Sequence, residues 1–260
     1  MKKIQLLVCV LIFTLVAACS ANAGDFKGFY VGGNAGVALG RSNAETTTVF
    51  SPTGYFANSS PPAIAIVGAQ HPRSTGFTGG GQFGYNFQHN SFVLGLEGDF
   101  GAMRLDASQT GTGVYPCCAP STFTVSQRVG SSWLFTARPR IGWTHGPVLI
   151  YTTGGLALTT IHYREAFTDT FPTPPSTPAT ESAKFDTMKT GWTGGGGLEF
   201  KVARHWSVKG EYLYNAFGRV SKTSTNLTAF SAATTFPTNV FTHSTDLRAH
   251  IIRAGINYRF

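Results

Sequence analysis

Phe77-Thr78-Gly79-Gly80-Gly81-Gln82-Phe83-Gly84-Tyr85-Asn86-Phe87-Gln88 is the stretch that decides the fold. Phe77, Phe83, Tyr85 and Phe87 share one parity with Gly79 and Gly81, and Thr78, Gln82, Asn86 and Gln88 hold the other. A helix would mix the two sets on every face; only a period of two separates them, as in a strand with one apolar and one polar side.

The same alternation continues in both directions. Upstream, Phe29, Val31, Ala35, Val37 and Leu39 share a parity. Downstream, Phe92, Leu94, Leu96 and Phe100 oppose Glu97 and Asp99. Trp133, Phe135, Ala137, Ile141 and Trp143 oppose Thr136, Arg138 and Arg140. Val148, Ile150, Leu156 and Leu158 follow, blurred by Leu149. Trp192, Leu198, Phe200 and Val202 oppose Thr193, Glu199 and Lys201, and Val208, Tyr212 and Tyr214 oppose Lys209, Glu211 and Asn215. Ile252, Ala254, Ile256, Tyr258 and Phe260 oppose Arg253, Asn257 and Arg259. Eight strands result. Tight links at His89-Asn90-Ser91, His145-Gly146-Pro147 and Ala203-Arg204-His205 alternate with long polar ones near 41–74, 106–129, 163–187 and 219–245. This predicts an all-β, eight-stranded antiparallel up-and-down transmembrane barrel with three periplasmic turns and four long external loops.

Tyr85, Phe87, Phe92, Trp143, Phe200, Trp206, Tyr258 and Phe260 cluster beside the short turns, as a periplasmic aromatic girdle would. A soluble β-sandwich also alternates, but would need neither aromatics gathered at one end nor charges confined to its core face. Pro139 falls mid-strand on the lipid side, where it removes a ladder donor; a bulge there or a nearer rim would relieve it. Phe171-Pro172-Thr173-Pro174-Pro175-Ser176-Thr177-Pro178 is expected to be extended and free of regular hydrogen bonding.

Composition agrees. Only 12% of the 260 residues are charged, and Gly (31) and Phe (21) are abundant, without a long apolar run beyond the N-terminus. There, Lys2-Lys3, an apolar stretch from Ile4 to Ala18 and Ala21-Asn22-Ala23 read as a signal peptide cleaved between Ala23 and Gly24. Val16-Ala17-Ala18-Cys19 resembles a lipobox that would instead lipidate Cys19, but a barrel needs no extra anchor. The net charge of +8 is scattered rather than clustered, which argues against a nucleic-acid partner. Cys117 and Cys118, adjacent in sequence, either close a vicinal disulfide in an oxidising compartment or remain thiols.

Several segments resemble a known family. Gly28-Phe29-Tyr30-Val31-Gly32-Gly33-Asn34-Ala35-Gly36, Leu94-Gly95-Leu96-Glu97-Gly98-Asp99-Phe100 and Arg253-Ala254-Gly255-Ile256-Asn257-Tyr258-Arg259-Phe260 are similar to the first, third and last strands of OmpA-like outer-membrane surface antigens of alphaproteobacteria. The resemblance implies a major surface barrel with envelope-integrity, antigenic or adhesive roles and no catalytic residues. It implies that Ile256, Tyr258 and Phe260 form a C-terminal signal for the outer-membrane assembly machinery. It also implies that the peptidoglycan-binding domain of full-length OmpA proteins is missing. The partners expected are outer-membrane lipid, lipopolysaccharide, the assembly machinery and host surface molecules; no cofactor is expected.

The inward set holds Glu97, Asp99, Glu199 and Glu211 with Arg138, Arg140, Lys201, Lys209, Arg253 and Arg259. An eight-stranded interior is about wide enough for its own side chains, so these charges should pair into a salt-bridged plug. Inward Gly32, Gly36, Gly80, Gly84, Gly95, Gly155, Gly195 and Gly197 leave space that water could fill, so a narrow porin is the alternative. For an enzyme, His89, His145 and His205 lie at turns, His71 and His243 in loops, and His162 and His250 near strand ends. None completes a nucleophile–base–acid pattern, His243-Ser244 reads as a chance loop pair, and close metal-ligand spacing is lacking. Phe50, Tyr55, Phe56, Phe230, Phe236 and Phe241 in the loops either bind a ligand such as haem or a host molecule, or pack together as a cap.

Overall fold

The computed structural model describes residues 25–231 and 233–260, so the expected cleavage at Ala23/Gly24 and the lipobox at Cys19 lie outside the described residues. Strands β1 (Gly28–Arg41), β3 (Arg73–His89), β4 (Phe92–Val114), β5 (Thr122–His145), β6 (Val148–Asp169), β7 (Thr177–Lys201), β8 (Trp206–Ser224) and β10 (Phe241–Arg259) pair antiparallel with their neighbours. β1 and β10 close the ring, from Tyr30↔Arg259 to Arg41↔Arg248. Closure leaves no free edge within the ring, the condition for a sheet in lipid; β4 beyond Met103 and β7 before Gly191 extend above it without β3 and β8 as partners. Above that seam, β2 (Ala44–Thr48) takes over from β1 on the edge of β10, and helix α1 (Ser60–Gly68) and β9 (Thr228–Phe230) lie in the first and last outer connections. At the opposite rim, Asn90 (φ 53°) and Gly146 (φ 56°) supply the left-handed residues that two-residue turns require.

The strands run much further outward than the alternation suggests. Most of the segments 106–129 and 163–187, expected as loops, are strand, because β4 continues to Val114, β5 begins at Thr122, β6 continues to Asp169 and β7 begins at Thr177. The physical reason is a change of solvent. Near the turns the outward side chains are apolar and exposed: Leu94, Leu96, Phe100, Ile141, Trp143, Ile150 and Leu198. Further out, Arg128, Arg164 and Lys184 face outward while Phe123, Val125, Val129, Tyr163 and Phe167 are buried inside. Water has replaced lipid, and the barrel has turned from apolar-out to apolar-in. In β5 the pairing with β6 shifts register between Gly130 and Phe135, and inward residues change from odd to even there. The bulge thus hides one continuous strand from any fixed-parity reading.

Two other expectations change. The Pro-rich segment is not simply extended: Ser176 N–H donates to the Thr173 carbonyl, and β7 starts within it, at Thr177. Pro139 is accommodated without a bulge. Pairing with β6 lapses at Arg138 and Pro139, but the register is the same at Ala137↔Leu156 and Arg140↔Thr153 on either side, and the Thr153 hydroxyl donates to the Pro139 carbonyl at 2.8 Å.

The interior is layered along the axis. Phe26, Val93, Leu149 and Tyr151 pack at the turn end. A charged layer follows, described below. Next comes an apolar layer containing Met103, Leu105, Leu134, Ile161, Leu213, Phe217, Leu247 and Ile251. The outer end is closed by Phe56, Ile64, Tyr115, Phe123, Phe167 and Phe241. Inward glycines do not open water-filled space where they face tyrosines. A Cβ on Gly84 would lie 2.5 Å from Cζ of Tyr30, and one on Gly197 would lie 2.6 Å from the Tyr151 hydroxyl. Those two rings occupy the room the glycines leave.

Candidate functional site

The charged layer is built by inward positions of strands on all sides of the ring. Arg138 on β5 is fully buried and donates to Glu97 Oε1 (2.6 Å), Asp99 Oδ2 (2.8 Å) and Glu211 Oε1 (3.2 Å). Arg253 on β10 meets Asp99 and Glu211 from the other side, with Nη2 3.0 Å and 2.7 Å from their oxygens. Lys209 donates to Glu97 at 2.8 Å. Arg140 bonds Asn86 and Glu199 and stacks 4.8 Å from the Tyr30 ring centre, and Arg259 shares Glu199 with Asn257 and Ser207. Burying so many charges is costly unless each finds opposite charge and hydrogen bonds; here the geometry supplies both.

Nine of the ten lumen charges expected from parity therefore meet in one network; Lys201 does not. It sits at the periplasmic mouth, where Nζ donates to the Asp25 carbonyl at 2.6 Å. Strand β7 ends there, and Lys201 Nζ lies 6.0 Å from the centre of the Phe26 ring rather than among the paired charges. The neutral members were not singled out from the sequence: Tyr30 donates to Glu97 (2.7 Å) and Tyr151 to Glu211 (3.0 Å). Their parity carried the signal, since both alternate with outward residues. At the same mouth Phe26 is fully buried, its carbonyl held by Asn86 and its ring 5.1 Å from the Arg259 guanidinium.

On the outside, Tyr85, Phe87, Phe92, Trp143, Trp206 and Phe260 are exposed around the turn-end rim, with Phe200 and Tyr258 half-buried beside them. Tyr258 packs edge-on against both Trp206 and Phe260. Ile256 and Phe260 face outward on the last strand. Above the apolar band, cross-strand register aligns like charges. Arg73, Arg41 and Arg248 stand opposite one another across β3, β1 and β10, and Arg128, Arg164 and Lys184 across β5, β6 and β7. Asp106 pairs with Arg128 and Asp246 with Arg248, which leaves the rows strongly cationic.

The outer layers hold two further groups. Tyr55 and Tyr115 both donate to Asp169 Oδ2, at 2.7 and 2.9 Å, and burial together with that carboxylate pushes both phenols far above their ordinary range. Of the loop aromatics, Phe56 and Phe241 are core, Tyr55 and Phe236 pack on them, and Phe50 and Phe230 remain exposed. Phe241 belongs to β10 rather than to a loop. Cys117 and Cys118 are disulfide-bonded, with the Ser60 hydroxyl 3.9 Å from Cys117 Sγ.

His243 corrects the sequence reading. It is not a loop residue beside Ser244 by chance but a fully buried side chain of β10, facing Glu165 of β6 and Glu181 of β7. Burial and then the Glu181 carboxylate push the Glu165 carboxyl up. Against the upward pull of burial, the neighbouring His243, Glu165 and Ser224 side chains hold Glu181 below the usual range. The three residues come from three strands far apart in sequence, so no spacing announces them.

A closed ring with an apolar belt, a paired ionic lumen and a turn-end aromatic rim defines a small transmembrane β-barrel of the outer membrane. The chain belongs to the outer membrane protein beta-barrel domain family, whose model matches residues 7–260. It is 29% identical to the 31 kDa outer-membrane immunogenic protein of Brucella melitensis, over 91% of this chain and 84% of that protein. It is 25% identical to the 22 kDa outer membrane protein of Rhizobium leguminosarum, over 75% of this chain and 66% of that one. The outer membrane protein OprG of Pseudomonas aeruginosa aligns at 10% identity and a TM-score of 0.44, over 91% of this chain and 99% of OprG.

Proposed function

We propose that this protein is a closed structural barrel of the outer membrane, not a porin and not an enzyme. The observation that carries the reading is the stacking of two seals in one lumen. The ionic layer around Arg138 ties opposite walls together, and the layer around Met103, Leu105, Leu213 and Leu247 above it is apolar. An ion crossing the barrel would have to break the first and shed its water in the second, and each step costs several kcal/mol. The test is conductance of the refolded chain in a planar bilayer. No steady channel activity is expected, and frequent openings of uniform size would establish the porin alternative.

The outward rows Arg73–Arg41–Arg248 and Arg128–Arg164–Lys184 suit lipopolysaccharide as the lipid partner. Like charges directly opposite in a ladder repel, and multivalent phosphate between them reverses the sign. Replacing Arg41 by Gln should reduce lipopolysaccharide retained by the purified barrel; unchanged retention would remove the rows from this role. Exposed Phe50 and Phe230 are the aromatic surface that a host molecule would meet, and the description of the Brucella relatives as immunogenic proteins agrees with surface display.

A further inference from the structure

The group around His243 has hydrogen-bond acceptors in excess. The Ser224 hydroxyl donates its proton to Glu181 Oε1, so His243 Nε2, 2.8 Å from Ser224 Oγ, is the N–H donor to Ser224. The Tyr163 hydroxyl donates to Gln127 Oε1, which leaves the Thr46 hydroxyl one proton to place on either Tyr163 Oη, 3.2 Å away, or His243 Nδ1, 3.3 Å away. In a neutral imidazole Nδ1 is then an acceptor that shares the Thr46 proton with Tyr163. It lies 3.8 Å from Glu165 Oε2. Neither oxygen of Glu165 accepts a hydrogen bond, nor does Glu181 Oε2, although Glu165 and Glu181 are 4% and 3% exposed. Among the described residues, three carboxylate oxygens without a hydrogen-bond partner thus converge with one imidazole nitrogen, and a shared proton or a cation would satisfy them.

We propose that Glu165, Glu181 and His243 form a binding site for one divalent transition-metal cation of the Zn²⁺ type, in the part of the barrel that extends above the membrane. One ligand atom from each residue fits within a 4.8 Å group. Ligands at about 2.0–2.1 Å around a tetrahedral ion lie roughly 3.3 Å apart, so modest side-chain rotation closes the set. Two carboxylates with one imidazole neutralise the ion and match its borderline character. The contact Nε2–H to Ser224, passed on to Glu181, fixes the ring orientation and raises the basicity of Nδ1, as outer partners of a ligating histidine do. By joining β6, β7 and β10, the ion would staple the outer end of the barrel across its interior.

The test uses the untagged full chain, refolded in detergent, treated with chelator, loaded with Zn²⁺ or Co²⁺ and gel-filtered. About one equivalent of metal should stay with the folded barrel, Co²⁺ should give the visible spectrum of a four-coordinate nitrogen–oxygen site, and Zn²⁺ should raise the unfolding temperature. Glu165→Gln and His243→Gln should each cut affinity by at least about tenfold while the folded barrel keeps its heat-modifiable gel mobility. The proposal is overturned if the folded wild type retains no metal, because an imidazolium or a proton shared by the two carboxylates would then satisfy the group. It is equally overturned if both variants retain as much as the wild type, which would place the metal on the surface. Should His243→Gln not fold, the isosteric Glu165→Gln carries the comparison.

Discussion

The lower and outer halves of this barrel obey opposite rules with the same strands. In the lower half Leu96 and Ile141 meet lipid while Glu97 and Arg140 fill the lumen. In the outer half Arg128 and Arg164 meet water while Val125, Val129, Tyr163 and Phe167 fill the interior. The lower lumen is held by charge pairing in a space sealed from water, and the outer one by ordinary apolar burial. The difference teaches that a strand does not end where the membrane ends; only its polarity code is rewritten. The bulge of β5 between Gly130 and Phe135 lies at that changeover.

The contrast can be broken first at its ionic centre. Replacing Arg138 by Met leaves Glu97, Asp99 and Glu211 short of positive charge inside the barrel and should cost about 3–5 kcal/mol in urea unfolding of the refolded protein. A loss below about 1 kcal/mol would mean that water already screens the network. Phe167→Ala in the outer half should cost about 3 kcal/mol through a cavity beside Phe56 and Phe241. Here the heat-modifiable mobility should survive, because the lipid-facing half is untouched. If mobility is lost as well, the halves are one cooperative unit.

On the outer surface the two rules predict opposite tolerance. Leu96→Lys should cost about 2–4 kcal/mol, and Ser126→Lys, at a half-buried outward position of β5 above the apolar belt, should stay within about 0.5 kcal/mol. Equal costs would place the membrane boundary elsewhere. The smallest effect concerns pH. The folded state raises the Glu165 carboxyl, facing Glu181 and His243, so it favours the protonated form. That contribution is fully present below the unfolded value near about 4.3 and is lost as pH rises toward the folded value. Glu181, shifted downward, acts only below its unfolded value, so it does not mask this window. In metal-free protein the unfolding midpoint should fall between about pH 5 and about pH 9, and Glu165→Gln should flatten the slope.

How far the sequence could be read follows from the same contrast. Phe77 to Gln88 and Phe92 to Phe100 were legible because lipid forces apolar side chains onto one parity and the narrow lumen forces polar ones onto the other. The paired charges were legible as a set for that reason, though parity alone could not show that Lys201 reaches the mouth rather than the network. Beyond the membrane, Thr122 to Val129 still alternates, but with the code inverted, and the β5 bulge offsets the phase from Phe135 onward. A reading tuned to apolar-out strands sees loops there. The group Glu165–Glu181–His243 arises from register across β6, β7 and β10, which only the closed ring brings together.

Amide hydrogen exchange of the refolded barrel tests the continuous two-code strand most directly. The backbone N–H groups of Val125, Gln127 and Val129 in β5 and of Tyr163, Glu165 and Phe167 in β6 are paired in the ladder above the apolar belt. They should be protected to a degree comparable with Arg138 and Ala157 below, where lipid surrounds the barrel. Exchange there as fast as in the connection 170–176, while the lower residues stay protected, would contradict the account and return the outer half to flexible loops.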